Sequence, residues 1–595
     1  MAIPSTLQDS LMARLDRLVT AKGITQLGAT IGRQFSYALL QAVSQLDTTT
    51  LQRELGRLVE AALVYQRGVP PQAHYIFKHA LIRDSAYESL LKSTRQQYHQ
   101  RIAQVLEAQF PETAEAEPEL LAHHYTEAGL IEQSVVYWYK AGQRASERSA
   151  HAEAIAHLRQ GLALLETLPE SPECTQQKVD LLIALGASLL GTRGSGAPEV
   201  EQTYLRAQHL CEHLHVSHQR FPVLRGLWSC SIVRTELHTA HALGQQLLVL
   251  AQQSQEPGML LAAHRALGST LFHLGEAVPA LTHLAQGMAL YDPKRHHASA
   301  FLYGEDAGVV CHSFAAWTLW CLGYPEQGLV RSREAVTLAQ QVAHPYSLCH
   351  ILASAAQCYQ FRREEGAAQA CAEASINLAT AQGFPLRKAF GTILHGWALA
   401  QQGQAQEGID QINQGLIVLR ATGAETWRPY FLVLLAEAYG MLGQPETGLA
   451  VLAEALTLAD TMGARWFTAE LHRLKGELLL QQNSDNQAEA ETCFQHAMTI
   501  AQNQGGKAWE LRTATSLARL WQQQGKRQEA HDLLAPVYNW FTEGFDTADL
   551  MDAKALLDEL AYLQHLCSSG RVPPIPHHGN TRLMYGFPEQ SGREH

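Results

Sequence analysis

The chain has 595 residues, of which 46% are apolar and only 17% charged, and its formal net charge is −12. That length exceeds what one hydrophobic core supports, so several domains or a solenoid are expected. The acidic balance argues against a general nucleic-acid binder, which needs a broad basic face, and no apolar run reaches the ~20 residues that span a bilayer.

Residues 1–110 carry 12 Lys/Arg against 8 Asp/Glu, a net of +4 that leaves −16 for the remainder. This basic head opens with Pro4-Ser5-Thr6-Leu7, where a proline precedes capping hydroxyls and predicts a helix through Leu18. Further helices are expected over about Ile24–Ile31, Phe35–Ala42 and Thr50–Glu60. Leu63–Gln66 reads as a strand, Gly68-Val69-Pro70-Pro71 as a turn and His74–Phe77 as the returning strand. A helix pair from His79 to Gln109 closes the segment. Helices followed by a small hairpin look like a winged helix.

From residue 111 to 565 a different order takes over. Gly383, Gly423 and Gly463 lie 40 residues apart, with Gly403 and Gly443 midway between them. A fixed interval of this size marks stacked helix pairs. Within the unit that starts at Ala436, Tyr439 follows at +3, Gly443 at +7, Gly448 at +12, Leu452 at +16 and Ala455 at +19. The offsets return in Gly268/Leu271/Gly275/Ala280/Leu284/Gly287, in Gly396/Leu399/Gly403/Gly408/Ile412/Gly415 and in Ala518/Trp521/Gly525/Ala530/Leu534/Val537. Small residues let two helices approach and the large one fills the groove between them. The unit at Gly476 has a turn two residues longer, at Asn483–Asn486, and everything after it shifts by two. The register is therefore structural. About eleven pairs are expected, with glycines of the Gly383 type closing the second helices in a left-handed cap. The last segment, 566–595, is polar and rich in Pro and Gly, and is expected to be disordered.

This pattern resembles the tetratricopeptide repeat (TPR), although the unit here is nearer 40 residues than the usual 34. The resemblance implies an all-α fold: a right-handed α-solenoid of TPR-like helix pairs with a small winged-helix-like domain before it. The phrases Ile3–Leu7, Ala13–Leu18, Ala29–Ser36 and Phe77–Tyr87 resemble the winged-helix end of bacterial STAND-type (signal-transduction, AAA-like) predicted ATPases. In that family TPR repeats follow the ATPase, and a class III adenylate/guanylate cyclase or a kinase domain often precedes it. Residues 1–110 would be the end of the ATPase module. No G-x-x-x-x-G-K-[ST] occurs, and Gly191-Thr192-Arg193-Gly194-Ser195-Gly196 lacks the Lys-Ser/Thr that holds phosphate and Mg²⁺, so it reads as an inter-helix loop. The chain looks like a regulatory half without its motor.

Two residues carry what the resemblance implies about a site. His79 and Arg83 lie one turn apart where the helix after the hairpin begins, and in STAND proteins a winged-helix histidine can contact the nucleotide phosphate. ATP would enter only with a partner ATPase domain; no cofactor is expected in this chain alone. Of the 29 histidines, His123-His124, His296-His297 and His577-His578 are adjacent and so point apart on a helix, which disfavours a shared metal. The ten cysteines show no paired spacing and read as buried thiols of a soluble cytoplasmic protein, with no N-terminal signal peptide visible. Trp138 falls on a packing offset, whereas Trp427 and Trp466 precede first helices, where a concave face can begin.

The reading that follows is a non-catalytic regulatory or scaffold protein. It would bind a protein or peptide in the concave groove of the superhelix and signal to a STAND ATPase or nucleotide cyclase. Two other readings stay open: a fragment of a cyclase–ATPase enzyme, and a winged-helix transcriptional regulator.

Overall fold

A computed structural model describes residues 16–17, 19–214 and 217–568. The helix expected over Pro4–Leu18, apart from 16–17, and the tail expected over 566–595, apart from 566–568 at the end of helix Ala548–Ser568, lie outside these residues.

In the head, helices Val19–Ile31, Tyr37–Ser44 and Thr48–Glu60 alternate with a three-stranded antiparallel sheet ordered β1-β3-β2, where β1 is Gln34–Ser36, β2 Val64–Arg67 and β3 His74–Phe77. The helix expected from Phe35 begins instead at Tyr37. Ser36 caps it by accepting from Leu39 N at 3.1 Å, and the residues before it extend as β1, with Gln34 opposite Ile76. Three residues are too few to show a period of two, so this strand exists because β3 offers it an open edge. Phe35, Tyr37, Tyr75 and Phe77 form the buried centre. Helix Lys92–Gln109 then ties the head to the solenoid: Glu107 accepts from the hydroxyls of Tyr125 at 2.5 Å and Tyr137 at 2.6 Å.

Beyond residue 118 the chain runs in antiparallel helix pairs. Each second helix buries one narrow stripe on the spacing read from the sequence: Ala280/Leu284/Gly287, Gly408/Ile412/Gly415, Gly448/Leu452/Ala455 and Ala530/Leu534/Val537. The approach is close enough to demand small residues. A Cβ at Gly408 would stand 2.4 Å from the Gly396 carbonyl oxygen. Gly383 and Gly463 close their helices in the left-handed region with φ +70°. The longer turn at Asn483 contains a single 3₁₀ turn, Ser484–Asn486.

The first helices behave differently. In Ala307–Cys321 every residue but His312 is buried, and Pro345–Phe361, Arg428–Met441 and Lys507–Gln523 are nearly as enclosed. A helix apolar all round must be covered on both sides. The cover is the chain itself. The superhelix winds tightly enough for later turns to dock on earlier ones. Val233 O accepts from Glu425 N at 2.9 Å and Thr426 N at 3.2 Å, and His273 O accepts from Arg465 N at 2.9 Å. The Glu543 carboxylate accepts from Glu326 N at 2.9 Å and Gln327 N at 3.0 Å, at the start of helix Pro325–Val342. Along this seam the Gly194–Ala197 turn lies on Thr422–Gly423. The last three residues of the glycine-rich motif thus make the expected inter-helix loop, while Gly191–Arg193 finish helix Pro172–Arg193.

Aromatic rings from separate repeats fill the inside of the coil. Ring centroids are 4.9 Å apart for Phe272–Trp466, 5.0 Å for Trp317–Trp427 and 4.7 Å for both Trp320–Trp509 and Trp320–Phe361. One apolar cluster extends from Phe221 to Trp509. The concave face expected to be free for a polypeptide is therefore occupied, over these repeats, by the protein's own side chains.

Candidate functional site

Two recesses among the described residues stand out by their polar groups or their size. The first is a chamber of about 80 Å³ among the first helices, walled by Trp228, Phe314, Trp317, Leu386, Phe390 and Trp427 and closed on one side by the seam. Its charged and imidazole groups come from four helices and one inter-helix turn. Glu305, just ahead of helix Ala307–Cys321, is the carboxylate of the lining. Arg225 donates to it at 2.9 Å and Arg265 approaches to 2.5 Å, with His350 Nδ1 at 3.4 Å. Both guanidiniums lie close to the indole of Trp228, 4.5 and 4.4 Å from its ring. Arg387 completes the wall, 4.9 Å from the Tyr346 ring and 5.9 Å from that of Phe390. It makes no ion pair with a carboxylate among the described residues.

Burial and charge set the protonation states here. Burial by itself would raise the pKa of Glu305, but Arg265, the hydrogen bond from His350 and Arg225 outweigh it and hold the group well below the usual carboxylate range. Burial pulls Arg265 down to about 10 even with Glu305 beside it. Burial and then Arg387 lower His350 to about 4, and burial with Arg265 lowers His273 to about 3, so both imidazoles are neutral at pH 7. Two guanidiniums thus share one buried carboxylate, and a third stands beside them without a carboxylate partner among the described residues.

The second recess is an open cleft of about 530 Å³ on the inner side of the later repeats. Its floor is a buried ion network. Arg473 grips Glu470 through Nε at 2.7 Å and Nη2 at 2.9 Å, and Arg512 binds Asp549 at 2.8 Å and the Phe361 carbonyl at 2.7 Å. Burial would raise the pKa of Glu470, but Arg473 and Arg512 bring it to about 2. Toward the mouth stand Arg519 paired with Asp552 at 2.7 Å, Arg363 with Asp549 at 3.2 Å, and Met441, which is 46% exposed. Both charge signs and a soft apolar group are thus presented to solvent in one concavity.

The head holds the two residues singled out in the sequence. His79 is exposed at the N-cap of helix Ala80–Glu88, but its side chain makes no capping bond. Arg83 is half-buried and bound through Nε to the neighbouring Asp84 at 2.8 Å. Two other head arginines are engaged too: Arg53 and Arg57 both bind Glu54, each at 3.1 Å. Nearby, His99 and His124 share a 2.8 Å contact between their Nδ1 atoms. Burial first, then His123 and Arg95, lowers His99 to about 4, and burial with His99 and His123 takes His124 well below its ordinary value. Among the described residues no group of three or more His, Cys, Asp or Glu is placed to hold a metal ion, and no helix is long and apolar enough to cross a membrane.

Trp138 packs beside His157, 5.3 Å between rings, and Trp427 and Trp466 belong to the filled interior, not to a free concave face. The charged residues of the chamber escaped the sequence reading. Arg225, Arg265, Glu305 and Arg387 are scattered over some 160 positions and share no motif, though one signal was present: first helices such as Ala307–Cys321 have no polar face to offer a groove.

No family model matches the chain. Over 523 residues, 87% of this chain, it is 27% identical to an uncharacterized protein of Rhizobium meliloti (strain 1021). The match takes up 50% of that protein, so the chain spans about half the length of the curated relative it matches. Among solved structures it resembles a Rap protein complexed with Competence and Sporulation Factor, at 11% identity and a TM-score of 0.44 over 72% of this chain and 99% of that one. A STAND protein with a tetratricopeptide repeat sensor from Pyrococcus horikoshii matches at 11% identity and a TM-score of 0.29, covering 91% of this chain and 65% of that one. Yeast Tom70 matches at 10% identity and a TM-score of 0.30, over 80% and 98%.

Proposed function

We propose that the chain is a non-catalytic regulatory protein that binds a protein or peptide through its TPR-like superhelix and signals to a STAND ATPase or nucleotide cyclase. The observation that carries this reading is the open cleft. With the inner face covered elsewhere by the coil's own turns, the concavity beside Arg363, Met441, Arg519 and Asp552 is a surface of the right form for a polypeptide. Its exposed ion pairs are weak in water and can exchange partners with an incoming charged segment at little cost. Neighbouring helix pairs stack on one another and later turns dock on earlier ones, so a ligand bridging several pairs biases the pitch of the whole coil.

The head would then be the winged-helix end of the ATPase module, with His79 and Arg83 as the contacts to a nucleotide supplied by that module. The exposure of His79 leaves it accessible to such a partner. The ion pair of Arg83 with Asp84 is on the surface and readily broken.

The test is a selection of peptides from a random display library on the full chain, followed by binding to Arg519→Glu and Asp552→Lys variants. Peptides whose affinity falls about tenfold in the variants support the cleft. A selection that returns only peptides indifferent to both substitutions refutes it. ATP hydrolysis by the purified chain, lost in His79→Ala, would favour the enzyme reading instead.

A further inference from the structure

We propose that the enclosed chamber is a second, separate binding site, for a small organic acid: a carboxylate carried on an apolar body. The proposal does not depend on the peptide cleft, and it rests on an imbalance of charge inside the coil. Arg225 and Arg265 share one carboxylate, Glu305, Arg387 pairs with none among the described residues, and all four residues are at least nine-tenths buried. Folding tolerates buried guanidiniums when each has an anionic partner and loses several kcal/mol when one does not.

Unpaired donors stand on two residues of the lining. Arg265 places one terminal nitrogen on Glu305, while its Nε and Nη1 have no hydrogen-bond partner. Arg387 Nε has none either. Both arginines line the chamber. A carboxylate lying between them would accept from two guanidinium edges, the geometry in which Arg binds planar oxyanions best. It would also cancel one of the two excess positive charges. The rest of the ligand is specified by the wall. Trp228, Phe314, Trp317, Phe390 and Trp427 supply aromatic rings, while the hydroxyls of Ser269 and Thr426 already donate to the Arg265 and Ile232 carbonyls. Glu305 disfavours a group of high charge density, so the chemistry suits a mono- or dicarboxylate better than inorganic phosphate. Mostly apolar walls with a few converging polar groups are the usual build of a small-molecule site.

The position also gives the ligand a consequence. The wall includes Val233, Ala424, Thr426 and Trp427, which belong to the seam where one turn of the coil docks on another. An anion held between Arg265 and Arg387 would join helix Pro257–His273 to helix Pro385–Gln401 and favour the docked coil over an opened one.

The test is thermal unfolding and calorimetric titration of the full chain with acetate, benzoate, phenylacetate and succinate, with benzamide and inorganic phosphate as controls. Arg387→Met is the variant. It removes a guanidinium that pairs with no carboxylate among the described residues, so the unliganded variant should unfold at the same temperature as the parent or higher. At least one carboxylate should raise the unfolding temperature of the parent, benzamide should not, and Arg387→Met should weaken that acid's binding by about 10- to 100-fold. Amide exchange at Glu425 and Thr426 should slow with the acid present. Four outcomes would overturn the proposal: no acid binds at millimolar concentration, benzamide or phosphate binds as well, Arg387→Met binds unchanged, or the unliganded variant is strongly destabilised.

Discussion

The seam between turns of the coil can be tested with single methyl groups. Gly423 belongs to the 40-residue series, and so do Gly443 and Gly463. All three have positive φ, at +70°, +76° and +70°. A Cβ at Gly443 or Gly463 meets nothing within 4 Å, so alanine there suffers only the left-handed conformation, about 1–2 kcal/mol. At Gly423 the same Cβ would stand 2.3 Å from the Gly196 carbonyl oxygen. Gly196 mirrors it: its Cβ would lie 2.3 Å from Gly423 O and 2.4 Å from Gly423 C. Gly196 does not have positive φ, so Gly196→Ala isolates the contact. The obstacle is backbone on both sides, and no side-chain rotation relieves it. The turns must separate by about 1 Å to reach ordinary contact, an overpacking cost of about 1–3 kcal/mol. That movement also strains the bonds from Glu425 N and Thr426 N to Val233 O. Gly196→Ala should therefore cost about 1–3 kcal/mol, Gly463→Ala about 1–2 and Gly423→Ala roughly the sum, about 2–5. Urea unfolding followed by tryptophan fluorescence gives the stabilities. Amide exchange locates the effect, with Glu425 and Thr426 accelerated in Gly196→Ala and unchanged in Gly463→Ala. If Gly196→Ala is neutral and Gly423→Ala matches Gly463→Ala, the turns do not dock and the filled interior is wrong.

Glu470→Gln should destabilise the later repeats by about 3–5 kcal/mol, because Arg473 and Arg512 lose their shared buried anion; the shift in urea midpoint measures it. Phe494→Ala should cost about 3–5 kcal/mol, since the ring is fully buried and lies over Gly476, where a Cβ would stand 2.5 Å from it; thermal melts against Phe494→Leu show whether the loss scales with the volume removed. Stability should fall as pH drops from about 6.5 toward 4. His99, His124, His273 and His350 are buried neutral with pKa values below 6.5, so above that pH neither folded nor unfolded chain protonates them. Below it the unfolded chain takes up protons the folded chain refuses, and each histidine contributes a slope of about 1.4 kcal/mol per pH unit. Urea midpoints at pH 7, 6 and 5 measure the slope; a flat profile contradicts the assigned neutrality.

The repeat was legible because its cause is local. Two helices joined by a tight turn need small residues where they cross and a residue able to take positive φ where they end, so Gly408, Ile412, Gly415 and Gly383 reveal the pairing wherever it occurs. The hairpin of the head was legible for the same reason: its turn chemistry sits between two alternating runs. β1 was not, because a strand of three residues depends on the edge that receives it.

What the amino-acid order determined by itself was the class of the fold and the spacing of its units. What only the tertiary structure decided was the pitch of the coil, and everything about the candidate sites depends on that pitch. Gly423 and Gly463 look alike in sequence; one touches another turn of the chain and the other faces open space. Arg265, Glu305 and Arg387 meet because the coil closes around them. The physical reason is that pitch is the sum of small rotations between neighbouring pairs. No single pair encodes it, and the contacts that select it join residues some 190–230 positions apart, such as Val233 with Glu425 and Gly196 with Gly423.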